Sequence, residues 1–485
     1  MYKLWSSIAF LTLLTGCVED QPASSTSNRT LTLPVTDAPN EAVENAGEAS
    51  DVTHAFYFSY DDSSSTAARD LSIYAIDNAI KPSSDFGRPY EFLNAESFSH
   101  FNGQQAGPFE ISIGAYNSQP QELSFATAQN QLLALGVNVS GPVLSKNERP
   151  NVVMTLLVDV SGSMSSAYAG ETRSDIVSLL DVTKHGLLQL PNSLKLGDVI
   201  NLVVFSTDAQ VVLENWQFGQ TGLTQAIAQL RADNSTNLNR GIQLAYQVAN
   251  RQYDSEKSNR VVILTDAYAN TGEVDPTIIS QHTVINGKEG IHFAGIGIGS
   301  DFSDAFLNEL TEHGKGVYSA MITPNDAERI FTRGFTRFID SAVTDIKFKL
   351  EYPSSLQHVV SAAEEISENP EDVQSIDFAY NSDQFFFELF STQEGFSDEY
   401  EITLQIQYQG DNNQQETVRI THSIADLLQH GEIQIKSAAA VSTLAFLISG
   451  KVQCDDVLSS GLYLQSLGDD LFTNYQERIR KFCDL

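Results

Sequence analysis

Basic residues are scarce in this 485-residue chain: 28 Lys and Arg stand against 62 Asp and Glu, a net charge of −34. A surface of that sign repels phosphate backbones and argues against nucleic acid as a partner, while it attracts divalent cations and basic proteins. It would equally keep the chain soluble in a salty medium, and charge alone does not separate the two. Several catalytic signatures are missing as well. No Gly-x-x-x-x-Gly-Lys-Ser/Thr loop occurs, which argues against a nucleotide-driven motor within the chain. "GIGIGS", Gly295–Ser300, fails the Gly-x-Gly-x-x-Gly spacing and reads as the glycine-rich end of a strand. The nine histidines are scattered, with no His-Glu-x-x-His pair to suggest a zinc peptidase. Ser163 lacks the Gly-x-Ser-x-Gly elbow of hydrolases. The expectation is a protein that is not an enzyme.

Long apolar runs are also absent. "AAAVSTLAFLIS", Ala438–Ser449, is too short to span a bilayer and predicts a buried core helix. At the other end, "MYKLWSSIAFLTLLTGC" has Lys3 and then an apolar stretch from Leu4 to Leu14, again too short to span but suited to a secretory signal. Leu14-Thr15-Gly16-Cys17 resembles a bacterial lipobox, in which the cysteine becomes the lipidated N-terminus of the mature chain; a plain signal peptide with a chance cysteine is the alternative. Val18, where an Asp would favour inner-membrane retention, favours the outer membrane. The expected location is therefore the cell envelope, with the chain held by lipid on Cys17. Of the three cysteines, Cys454 and Cys483 remain. In an oxidising compartment they are expected to pair, two unpaired buried thiols being the alternative.

What is present divides the chain. Hydrophobic residues at 41% and charged residues at 19% describe an ordinary globular protein, and the length suggests several domains. A signal peptide over 1–16 is followed by a polar tether over 17–53. Residues 54–149 mix strand signals ("AFYFSY", "PFEISIGAYN", "NQLLALGVNVSG") with helical ones ("STAARDLSIYAIDNAI", "RPYEFLNAESFSHF"). Residues 150–342 alternate strand and helix, which predicts βαβ units, a largely parallel sheet and helices on both faces. Within them "AQVVLEN" follows "VVFSTD" at once, so that strand should be an antiparallel hairpin partner at an edge. Residues 343–435 read as antiparallel β, with "FFF" at Phe385–Phe387 a buried strand, and 436–485 as helical.

One stretch poses a chemical question. "VVMTLLVDVSGSMSS", Val152–Ser166, is an apolar strand that ends on Asp159 and then places hydroxyls at Ser161 and Ser163. Asp, Ser and Gly make turns, but a carboxylate and two hydroxyls also suit a hard cation. In a doubly wound sheet ligands lie beyond the carboxyl ends of the strands. Asp266 closes "RVVILTD" at the same edge, and Thr236, in "DNSTNLNRG" ahead of a helix, reaches that edge if the helix runs back along the strands.

Asp159-x-Ser161-x-Ser163 with Thr236 and Asp266 resembles the metal-ion-dependent adhesion site of von Willebrand factor type A domains. "GDVINLVVFSTDA" and "HFAGIGIGSDF" are similar to the family's second and fifth core strands, and the likeness covers about Asn151–Ala342. Asn234-Ser235 stand where the family often has Gly-Gly, and Ala267 where it often has Gly; neither change removes a ligand oxygen. The flanks are similar to those of a group of bacterial lipoproteins. The resemblance implies a Rossmann-like α/β domain, inserted in a β-sandwich built from the flanking strands, with extra helices at the C-terminus. Independent flanking domains are the alternative. It further implies that Ser161, Ser163 and in some cases Thr236 ligate directly, while Asp159 and Asp266 act directly or through water. An all-oxygen set selects a hard ion; Mg²⁺ is the expected one, with Ca²⁺ and Mn²⁺ as alternatives. Two carboxylates leave such an ion open to an Asp or Glu from a protein partner, which points to adhesion or complex assembly. The competing reading is an envelope scaffold with a structural or vacant metal site that binds through its sandwich.

Overall fold

The computed structural model of the chain describes residues 53–485, except 61–64, 120, 124–130, 169–175, 234, 267–274, 276–278, 280, 282, 284, 288–289, 313–315, 333, 340, 394 and 411–413. Cys17, the expected signal peptide and nearly all of the expected tether lie outside the described residues.

Strands come in three groups. The first is β1 (Thr53–Ser59), β2 (Gln104–Ala106), β3 (Phe109–Ser118) and β4 (Gln131–Ser140). The second is β5 (Val152–Asp159), β6 (Val199–Phe205), β7 (Ala209–Gln217), β8 (Ser258–Thr265), β9 (Ile291–Ile298) and β10 (Tyr318–Met321). The third is β11 (Ser341–Pro353), β12 (Gln357–Ser361), β13 (Glu365–Ser367), β14 (Ile376–Ala379), β15 (Asp383–Thr392), β16 (Glu401–Gln409) and β17 (Gln415–Ser423).

The second group makes one sheet in the order β10-β9-β8-β5-β6-β7. Its pairs are parallel except β6–β7, which is antiparallel and lies at the edge as the short connection requires. The five parallel strands are buried along nearly their whole length because both faces are covered, whereas the edge strand β7 is largely exposed. Alternate residues go to opposite cores: Met154, Leu156 and Val158 of β5 join one with Leu180 and Phe331, while Leu157 joins the other with Leu238 and Ile242. Two helices carry capping boxes that fix their starts, Ser178 with Asp181 ahead of Leu179–Leu187, and Thr323 with Asp326 ahead of Pro324–Phe331.

The last helical stretch of the central domain is two pieces. The α-helix stops at Phe331, Thr332 leaves helical space at φ −116°, ψ −88°, and a 3₁₀ turn follows over Phe335–Phe338. The helix expected within "RPYEFLNAESFSHF" is likewise short, Pro89–Ala95, because Glu96 is extended.

The first and third groups interleave. One sheet has the order β13-β1-β11-β16-β17 with β14 also on β11, and the other β12-β15-β4-β3-β2. β1 pairs antiparallel with β11, Phe58 opposite Phe348, and β4 with β15, Val137 opposite Phe386. Both sheets of the sandwich thus join strands from the two flanks, and the central domain leaves after β4 and returns into β11. Between the sheets Phe386 packs edge-on to Phe58 with ring centroids 4.9 Å apart and lies 4.8 Å from Phe348.

The apolar C-terminal stretch is the helix Glu432–Ile448, nearly all buried. It lies close on the sandwich because Gly136 has no side chain there; a Cβ would stand 2.6 Å from Ile435 Cγ1. Among the described residues no helix is long and apolar enough to cross a membrane. Cys454, opening the helix Cys454–Ser459, is bonded to Cys483, closing Asp470–Cys483.

A buried ion pair fixes the entry to the central sheet. Asp198 accepts from Arg149 Nη1 at 3.0 Å and Nη2 at 2.5 Å, and also from the backbone N–H groups of Val152 (3.1 Å) and Lys195 (2.7 Å). The carboxylate thereby ties the start of β5 to the start of β6, with both charged side chains almost fully buried.

Candidate metal centre

β5 runs out of sheet partners at Asp159, and the chain turns there under three constraints. Val160 N–H donates to the Phe205 carbonyl at the end of β6, 2.9 Å away. Ser161 N–H turns back onto Asp159 Oδ1 at 2.8 Å. Met164, in the 3₁₀ turn Gly162–Ser165, is buried in the core beneath the loop. With the backbone held so, Ser161 Oγ and Ser163 Oγ stand 3.0 Å apart.

The second loop follows β8. Thr265 Oγ1 donates to Asp159 Oδ2 at 2.6 Å, and Asp266 comes next in the chain. Thr265 was not among the expected site residues. A threonine inside an apolar strand reads as a strand former, and only its place immediately before the closing Asp could have marked it. The third loop carries Thr236 and is pinned at both ends. Asp233 N–H donates to the Val160 carbonyl (2.8 Å) and Asn237 N–H to the Ser206 carbonyl (2.7 Å). Asn237 also caps the helix Leu238–Arg251 by accepting from Arg240 N–H. That helix sits tight on β6, since a Cβ on Gly241 would come within 2.8 Å of the Phe205 ring.

The structure therefore brings the loops of Asp159, Ser161, Ser163, Thr236 and Asp266 to the carboxyl edge of β5, β6 and β8. Asp159, Ser161, Thr236 and Asp266 are buried and Ser163 is partly exposed. Burial pushes the Asp159 carboxyl up to about 6; hydrogen bonds from Thr265 and Ser161 oppose that rise, and the charge of Asp266 adds to it. A buried carboxyl raised by burial and by a neighbouring acid, beside hydroxyl oxygens, is a setting that a cation's charge relieves. The donors are all oxygen, and among the described residues no three His, Cys, Asp or Glu side chains form a cluster that could hold a metal. The residues present thus fit a hard divalent ion and do not fit a thiolate or imidazole centre.

Comparisons with known proteins bear on the central domain. The model of the von Willebrand factor type A domain family matches residues 154–269. Protein YfbK of Escherichia coli (strain K12) is 26% identical over 233 residues, which are 48% of this chain and 39% of that protein. Inter-alpha-trypsin inhibitor heavy chain H3 of Mus musculus is 26% identical over 225 residues, 44% of this chain and 23% of that protein. The chain thus spans well under half the length of these relatives. Among solved structures, a von Willebrand factor type A protein from Catenulispora acidiphila covers 80% of this chain and 98% of its own, at 14% identity and a TM-score of 0.41. The chain carries a von Willebrand factor type A domain, with residues 154–269 as its matched part.

Proposed function

We propose that this chain is a cell-envelope binding protein, held at the outer membrane by lipid on Cys17. It captures a protein partner through a divalent cation bound by Asp159, Ser161, Ser163, Thr236 and Asp266. The observation that carries the reading is the 3.0 Å approach of Ser161 Oγ to Ser163 Oγ, beside a buried carboxylate whose two oxygens are oriented by Ser161 N–H and Thr265 Oγ1.

Asp159 supplies charge and is already positioned, so little order remains to be imposed when a ligand arrives. The two serine hydroxyls add neutral oxygens at the rim, and Ser163 is the more exposed of them. Thr236 lies on a loop tied to both neighbouring strands, and Asp266 provides the second negative charge. A bound Mg²⁺, or Ca²⁺ or Mn²⁺, would supply an open coordination position for an Asp or Glu carboxylate of the partner. The role is adhesion or complex assembly, not catalysis. The acidic surface disfavours nucleic acid as the partner.

The test is a crosslinked pull-down from the native envelope with Mg²⁺ and with EDTA, with thermal melts in parallel. Capture should disappear in EDTA while the melt stays cooperative. Capture that survives chelation would shift the binding role to the sandwich and leave the metal site structural or vacant.

A further inference from the structure

Where the central domain meets the sandwich, the protein has a small cavity of about 10 Å³. Asn94, Val317, Arg337, Ser382, Asp383 and Gln384 line it. They come from separate parts of the fold. Asn94 is on the helix Pro89–Ala95, Val317 just precedes β10, and Arg337 is in the 3₁₀ turn by which the chain leaves the central domain. Ser382, Asp383 and Gln384 belong to the β14–β15 connection and the start of β15. The volume is that of about one water molecule.

The lining is polar in an unusual way. Asn94 is 6% exposed and Gln384 3%, yet Asn94 Nδ2, Asn94 Oδ1 and Gln384 Oε1 have no hydrogen-bond partner among the described residues. Buried amides are nearly always satisfied, by protein or by ordered water, and each exception asks for an explanation. Three such atoms on two residues that share one small cavity have a common one.

We propose that this cavity is a binding site for one structural water, held by the Asn94 carboxamide, Gln384 Oε1 and the Arg337 guanidinium. The chemistry of the lining selects water over an ion. Asn94 Nδ2 and the Arg337 N–H groups are donors, whereas Asn94 Oδ1, Gln384 Oε1 and the Asp383 carboxylate are acceptors. A halide would satisfy the donors and meet the acceptors with like charge. A metal cation would face the guanidinium. Water donates twice and accepts twice, and so serves both kinds. Its contacts join the sandwich, through Gln384 and the Asn94 helix, to the exit of the central domain, through Arg337. The molecule is part of the joint on which the metal-bearing domain sits.

A crystal structure of the mature chain, at a resolution that orders individual waters, tests this directly. One peak is expected within hydrogen-bond reach of Asn94, Gln384 and Arg337. A dry cavity with the two amides turned onto protein partners overturns the proposal, and so does an anomalous peak there after a bromide soak. Oxygen-17 relaxation dispersion gives a second reading in solution. The Asn94→Leu/Gln384→Met double variant should hold one fewer long-lived water than wild type, and an unchanged number counts against the site. Should the double variant fail to fold, Gln384→Met alone and the wild-type map still decide.

Discussion

Thr265 Oγ1 donates a 2.6 Å hydrogen bond to Asp159 Oδ2, joining the last residues of two neighbouring parallel strands. The bond fixes which way the carboxylate faces, and it adds a strand residue outside the five expected ligands to the proposed metal site. Thr265→Val is predicted to lower Mn²⁺ and Mg²⁺ affinity by about 10–100-fold, the usual effect of removing a partner of a metal-binding side chain. Asp159→Asn should abolish measurable binding while the protein still melts cooperatively. Calorimetric titrations of both variants check this, and wild-type curves from Asp159→Asn would return the loop to being a turn.

The Arg149–Asp198 pair is expected to matter for folding and not for the metal. Arg149→Met leaves Asp198 charged in a buried place, with two backbone N–H groups as its remaining donors. Breaking such a pair costs about 3–5 kcal/mol. Urea denaturation of the variant should show a loss of that size. A loss under about 1 kcal/mol would mean that solvent reaches the carboxylate.

His292 is predicted to contribute to the acid limb of the stability profile. Burial, and then the charge of Arg260, push His292 down to about 4. An unfolded histidine protonates near about 6.5, so between those values the unfolded chain binds more protons than the folded one. Stability from this group is complete above about 6.5, falls as acid is added, and is lost by about pH 4, a change of about 3 kcal/mol. His292→Gln should flatten that part of the curve of melting temperature against pH. An equal slope in both proteins would assign the acid limb to other groups.

Cys454 and Cys483 close a loop with a sequence separation of 29. In the chain-entropy account a loop of that length stabilises by about 3–4 kcal/mol. Mature protein should take up no thiol label under denaturing, non-reducing conditions, and Cys483→Ser should melt lower than wild type. Labelling of both cysteines before reduction would show that they do not pair in the cell.

Cys17→Ser is predicted to move the protein from the membrane fraction to the soluble one. Sedimentation with membranes after a carbonate wash would place the anchor elsewhere.

The central sheet was legible because buried parallel strands are written as unbroken apolar runs such as "VVMTLLV", each separated by a helix-length segment. The antiparallel β7 was legible from the three residues that separate it from β6, too few for a crossover. Which sandwich strands pair was not, since Phe58 and Phe348 meet across 290 residues and nothing local records the register. β2, β12, β13 and β14 are three to five residues long, too short to show a period. In the candidate site, ligand-type side chains announce themselves at strand ends, whereas Thr265 is disguised by its strand, and the pinning of the Thr236 loop rests on backbone groups that every residue has.

Among the described residues β1 has as its sheet neighbours only β11 and β13, both made almost three hundred residues later. During synthesis this strand therefore waits, with both edges open, while the whole central domain emerges and can fold behind it. A chain cut short just before β11 would keep the central domain and yet display a naked, aromatic-rich strand, the kind of edge that recruits other chains. Completion of the C-terminal half is thus what makes the N-terminal half safe. Truncated copies should be recognisable to a cell's quality control by β1 alone.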